Sequence, residues 1–251
     1  MAKIISVHSF RGGTGKSNIT ANIATLLAAE GRRVGVIDTD IQSPGIHVLF
    51  GLAGEEIGHA LNDYLWGRCA IEQTAHDVTP KLGPEIKGQV FLIPSSIQPG
   101  EITRVLREGY DAQVLTRGLR SLIEALDLDV LAIDTHPGLN EETLLSIVLS
   151  HVLVVILRPD QQDYEGTGVT VRVARHLQVP HMMLIVNKVP PGFDAAAVRA
   201  RVEQAYNCPV AAVLPHADEM MALASNGIFA LHYPDHPVTA ALKQAAASVV
   251  A

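Results

Sequence analysis

KIISVHSFRGGTGKSN, residues 3–18, runs from an apolar stretch into a loop of three glycines, an arginine, a lysine and a serine. The first part, KIISVHS (3–9), has the continuous hydrophobicity of a strand covered on both faces. NITANIATLLAAEG (18–31) places Ile19, Ile23, Leu26 and Leu27 on one helical face and stops at Gly31. A glycine-rich turn between strand and helix can aim successive backbone N–H groups inward, making an anion nest at the positive end of the helix. GGTGKS (12–17) matches the end of the P-loop pattern G-x-x-x-x-G-K-[ST] with the first glycine displaced, so it is a variant. In that frame Gly12, Gly13, Thr14, Gly15, Lys16, Ser17 and Asn18 cradle a nucleotide. Lys16 reaches the β- and γ-phosphates, and the Ser17 hydroxyl binds Mg²⁺.

The same strand-then-helix unit repeats outward from this loop. RVGVID (33–38), QVFLIP (89–94), DVLAID (129–134), HVLVVIL (151–157), HMMLIVN (181–187) and PVAAVL (209–214) read as buried strands. AQVLTRGLRSLIEAL, NEETLLSIVL, GTGVTVRVARHL and DAAAVRARVEQAY supply helices between them. This alternation implies βαβ crossovers and an α/β fold, a doubly wound, mainly parallel sheet flanked by helices. The stretch 51–88 has the weakest pattern, with one short helix near HALNDYLW, and reads as an excursion of a single domain spanning 1–251.

Two more segments sharpen the chemistry. VIDTD (36–40) sets Asp38 and Asp40 at the end of the second strand, and LAIDTHPG (131–138) sets Asp134 at the end of a later one. Ligands of open α/β sheets bind outside the carboxyl ends of the strands, so the three carboxylates should converge on the loop. A carboxylate after an apolar strand is a Walker-B type partner of Mg²⁺.

Composition narrows the class. The 251 residues carry 19 basic against 26 acidic side chains, a net charge of −7, which argues against a dedicated nucleic-acid binder. Cys69 and Cys208 match no metal or redox spacing and suit a reducing compartment. MAKIISV lacks the apolar core of a signal peptide. The longest aliphatic run, VLVVIL (152–157), is far below the roughly 20 residues of a membrane span. The expectation is a soluble cytoplasmic protein.

FRGGTGKS, VIDTDIQSPG and AIDTHPG, in that order and spacing, resemble the deviant Walker A ATPases of the ParA/MinD family, which are P-loop NTPases of the SIMIBI type. The resemblance covers most of the chain and is tightest over 3–53. It implies ATP and Mg²⁺ as cofactors, with Ser17, Asp38 and Asp134 at the metal and Asp40 orienting the attacking water. IVNK ends a strand where the family often has an adenine-reading asparagine, here Asn187. LPHADEM resembles the segment whose backbone flanks adenine, near Pro215 and Asp218. The family's signature lysine, which crosses a sandwich dimer to the partner's nucleotide, is replaced by Arg11. A guanidinium keeps the charge and adds a five-donor fork suited to bidentate phosphate contact, so Arg11 joins Lys16 and Asp40 as a catalytic candidate.

The function so implied is a positioning or partitioning switch: ATP closes a homodimer that docks on a surface, and a partner protein stimulates hydrolysis. Two alternatives stay open. One is a nucleotide-locked adaptor with little turnover; the other is a small-molecule ligase of the dethiobiotin synthetase type. Iron-sulfur relatives on this fold need cysteine pairs, which Cys69 and Cys208 do not supply. The related tyrosine kinases carry a C-terminal tyrosine cluster that this tail lacks. The docking surface is left open between nucleoid, membrane and protein. The tail from Pro237 to Ala251 has Lys243 as its only charged side chain and lacks the cationic face of a membrane anchor, so it should pack on the body. For nonspecific DNA the candidates are Arg172, Arg175, Arg199 and Arg201. The eleven histidines, His136 among them, show no metal spacing.

Overall fold

The computed structural model describes residues 2–251. Its strands are β1 (Lys3–His8), β2 (Arg33–Asp38), β3 (His76–Asp77), β4 (Gln89–Ile93), β5 (Val130–Asp134), β6 (Val152–Leu157), β7 (His181–Val189) and β8 (Val210–Pro215). They form one sheet in the order β3-β4-β2-β5-β1-β6-β7-β8. Every neighbouring pair is parallel except β3 against β4. The seven strands expected from apolar runs are all present. The eighth, β3, is two residues long and sits in the weakly patterned stretch, where no hydrophobic run could have marked it. The rest of that stretch is short turns of helix, including Leu61–Leu65 where one was expected.

The topology explains where a ligand can sit. The chain moves outward from β1 through β2 and β4 on one side, and from β6 to β8 on the other. The order therefore reverses beside β1, and the carboxyl edge there is the crevice of a doubly wound sheet. Register sharpens this: Val7 of β1 and Asp38 of β2 both stand level with Asp134 of β5. Three strands thus deliver the loop and two carboxylates to one rim.

Alternating side chains divide the core. Ile5 and Val7 face helix α1 (Lys16–Ala29), whereas Ile4 faces the opposite layer with Leu115, Leu119 and Leu122 of helix Ala112–Ala125. α1 differs from its expected one-sided stripe, because almost every residue from Ile19 to Ala28 is buried. The cause is the C-terminal helix Pro237–Val250, which packs across α1 and β8 and buries Val238, Leu242, Ala245 and Val249. A helix covered on both sides is apolar nearly all round.

Candidate functional site

Two left-handed glycines shape the loop after β1, Gly13 at φ 76° and Gly15 at φ 96°. Gly15 has a second constraint, since a Cβ there would lie 2.6 Å from the Asn187 side-chain nitrogen. Gly15 also stands at the N-cap of α1 without a side-chain hydrogen bond, so the leading N–H groups of a 14-residue helix have no side-chain cap. Such unsatisfied donors at a helix start are an anion site. Lys16 opens the helix and is only 8% exposed.

Asp134 is buried beneath this loop, and its Oδ1 accepts from the Thr20 hydroxyl at 3.1 Å. Burial raises its carboxyl above the usual range, while the Lys16 charge and hydrogen bonds from Ser17 and Thr20 pull the other way. Asp38 is fully buried, and its two oxygens accept from the backbone N–H groups of Asp40 (2.9 Å) and Gly45 (3.3 Å). Burial and the facing carboxylates of Asp134 and Asp40 push Asp38 well above the ordinary carboxylate range. Three carboxylates against one lysine leave the site short of positive charge, which suits a divalent cation. Among the described residues no group of three or more His, Cys, Asp or Glu could hold a metal ion. The residues at this rim that could hold a magnesium ion are Ser17, Asp38 and Asp134, oxygen donors of the kind this ion prefers.

Asp40 is engaged by a residue 96 positions away, a contact that local sequence does not mark. Its Oδ1 accepts from His136 Nδ1 at 2.6 Å and from the Ser43 N–H at 3.2 Å. His8, at the end of β1, is held neutral: burial and the Lys16 charge lower its pKa to about 3. Its Nδ1 lies 2.9 Å from the Thr135 hydroxyl, which donates to the Val7 carbonyl oxygen at 3.0 Å. The Thr135 oxygen must then accept, so His8 carries its proton on Nδ1.

On the opposite flank, β7 and β8 lose register between Val186 and Val189, and Lys188 adopts a left-handed φ of 57°. This irregularity turns two side chains onto the loop. Asn187 Nδ2 donates to the Thr14 carbonyl at 2.7 Å, and Lys188 Nζ donates to the Gly13 carbonyl at 2.8 Å. Lys188 lies within IVNK, where no sequence signal marks a lysine as a loop contact. A cleft of about 210 Å³ opens beside them, lined by Gly15, Asn18, Asn187, Pro215 and Met220 among others. Asp218 does not line it; its side chain is 95% exposed and stands 3.2 Å from His216 Nε2.

Arg11 meets carboxylates of its own chain. Its Nη1 lies 3.3 Å from buried Asp163 and 3.6 Å from Asp160, and Arg158 shares both partners. Three of the four candidate DNA-binding arginines are also spent internally. Arg175 donates to the Tyr206 and Asn207 carbonyls, Arg199 to the Val210 carbonyl, and Arg201 stacks 5.2 Å from the Tyr164 ring centroid. Cys69 is half-buried and Cys208 buried, with the Cys208 thiol pushed up to about 11 by burial. Among the described residues, no helix is long and apolar enough to cross a membrane.

Comparison with known proteins places this arrangement. The ParA family model, described as NUBPL iron-transfer P-loop NTPase, matches residues 1–250. An uncharacterized ATP-binding protein of Methanocaldococcus jannaschii is 30% identical over 251 residues, covering all of this chain and 88% of the relative. An iron-sulfur cluster carrier protein of Aquifex aeolicus is 29% identical over 196 residues, 73% of this chain but only 47% of the relative. Among solved structures, the septum site-determining protein MinD of Pyrococcus horikoshii, complexed with Mg-ADP, aligns with a TM-score of 0.80. The alignment spans 99% of this chain and 96% of that one at 20% identity, a likeness of fold.

Proposed function

Because the chain belongs to the ParA family of P-loop NTPases, we propose that it is a dimerising ATPase switch that positions or partitions a cellular cargo. The observation that carries this reading is the convergence of Lys16, Ser17, Asp38, Asp40 and Asp134 on one sheet rim, flanked by a cleft beside Asn187 and Pro215. ATP enters with its phosphates on the loop amides and Lys16, and its base in that cleft. Ser17 would hold Mg²⁺ with support from Asp38 and Asp134, and the bound ion would supply charge neutralisation on the phosphates. Asp40 orients the attacking water. In P-loop enzymes such positioning and charge stabilisation account for most of catalysis.

Arg11 makes the loop a deviant Walker A with arginine in the place of the signature lysine. In the free subunit its guanidinium is paired with Asp163 and Asp160, so acting on a partner's nucleotide requires exchanging carboxylates for phosphate oxygens. Both are charge-assisted contacts, and a polyphosphate presents more negative charge than the pair it replaces. Closure of an ATP dimer is then coupled to release of Arg11. A partner protein accelerates turnover while the ATP dimer is docked on a cellular surface.

The decisive experiment is a trap. Asp40→Ala should keep its affinity for MgATP and hydrolyse it slowly, and gel filtration with MgATP should show a persistent dimer. A variant that stays monomeric at saturating MgATP defeats the sandwich-dimer mechanism. A second reading, iron-sulfur carriage, is favoured by the name of the Aquifex relative and by the family description. The two cysteines of this chain lie in separate loops, one of them buried, and make no pair within a subunit. Anaerobic reconstitution with iron and sulfide discriminates: a visible charge-transfer band abolished by Cys69→Ala would select the carrier reading over the switch.

A further inference from the structure

The loop that follows β2 is already folded without any help from His136. Asp38 accepts from the N–H groups of Asp40 and Gly45, and Thr39 bonds the Asp134 carbonyl oxygen through both its N–H and its hydroxyl at 2.9 Å. The 2.6 Å contact between His136 Nδ1 and Asp40 Oδ1 is therefore surplus to holding the backbone. Both side chains keep some solvent access, 24% for His136 and 13% for Asp40. What the contact does fix is a rotamer. An ionised carboxylate only accepts, so His136 carries its proton on Nδ1 and donates it to Asp40. With the Ser43 N–H on the same atom, Oδ1 is held from two sides, while Oδ2 has no protein partner among the described residues.

We propose that His136 is a positioning residue for hydrolysis: it clamps one oxygen of Asp40 so that the other is presented to the attacking water. This rests on the ATPase reading above. In the reaction the water oxygen bonds to the γ-phosphorus, the bond from that phosphorus to the β,γ-bridging oxygen breaks, and ADP leaves. The water's proton passes to the phosphate released, so Asp40 has only to orient the nucleophile. A carboxylate free to rotate would hold that water in several places, and orientation is a large share of what such a site contributes. The histidine reaches Asp40 from a different strand end, 96 residues away, so the placement of the DTHPG segment sets the orientation of the carboxylate.

The test is single-turnover hydrolysis of MgATP with protein in excess, beside MgATP affinity by calorimetry. His136→Ala should slow hydrolysis about a hundredfold and change affinity by no more than about twofold. His136→Asn places an amide N–H where Nδ1 stood and should recover the rate to within about tenfold of the parent. Asp40→Ala combined with His136→Ala should be no slower than Asp40→Ala alone, because the histidine acts only through the carboxylate. A parental rate in His136→Ala, failure of His136→Asn to recover, or a multiplicative double variant would each overturn the proposal. A parent protein that binds MgATP and leaves it intact would overturn the ATPase reading first, which separates the two failures.

Discussion

At the scale of single residues, Arg11 and Lys16 share a loop but have different proposed tasks, and variants should separate them. Lys16 is nearly buried at the start of α1, so Lys16→Ala removes the charge proposed to meet the terminal phosphates. MgATP affinity measured by calorimetry should fall sharply, and turnover should vanish; an unchanged affinity in a folded variant would sink the phosphate-loop assignment. Arg11 is 39% exposed and paired within its own chain, so Arg11→Ala should leave monomeric ATP binding nearly intact. It should lose ATP-dependent dimerisation and stimulated hydrolysis together, read by light scattering and phosphate release. Arg11→Lys keeps the charge without the fork, and should retain the dimer with an altered rate. Dimerisation and parental turnover by Arg11→Ala would make the Asp163 pair purely structural.

At the scale of elements, the informative packing is α1 between the sheet and the C-terminal helix Pro237–Val250. The tail's sparse charge pointed to a helix packed on the body, and Leu242, Ala245, Ala246 and Val249 are indeed all fully buried. Leu242→Ala should lower stability by about 2–5 kcal/mol in denaturant unfolding, as expected for emptying a close-packed site. A loss under about 0.5 kcal/mol would mean that the helix is not docked in solution. Deleting Pro237–Ala251 should broaden or abolish cooperative unfolding by exposing the second face of α1. It should do so without acting through release from anionic vesicles. Flotation with MgATP that is strong in the full chain and lost from a folded truncation would contradict this.

At the scale of the whole molecule, stability should depend on pH through groups buried at the rim. His8 has its pKa lowered from 6.5 to about 3, so between those values the unfolded chain binds more protons. Stability from this group is complete above its unfolded pKa and declines as pH falls through the window. From about pH 7.5 to about pH 5 that loss is roughly 2 kcal/mol. Asp38 and Asp134 have the opposite sign: their raised pKa values mean that the folded state retains protons longer, so their cost grows as pH rises above the unfolded carboxylate value. Comparing parent with His8→Met isolates the histidine, since the carboxylates are common to both. The stability of the parent relative to His8→Met should fall by about 2 kcal/mol on acidification, and a constant difference would refute the buried, neutral histidine.

Much of this was readable along the chain, and for a local reason. Apolar runs mark parallel strands because both faces are covered, and a glycine-rich turn before a lysine marks a phosphate loop because backbone dihedrals and helix dipoles are set by neighbours in sequence. The carboxylates at strand ends followed from the same logic, since parallel strands must finish on one edge. What the linear order does not encode is which ends become neighbours. The strand order brings Asp40 to His136 across 96 residues and Arg11 to Asp163 across 152. The irregularity between β7 and β8 turns Lys188 onto the loop, where a regular strand would carry it away. Those contacts exist only once the crossovers close, because a hydrogen bond between distant residues depends on where whole elements pack, and that is decided by the burial of the core.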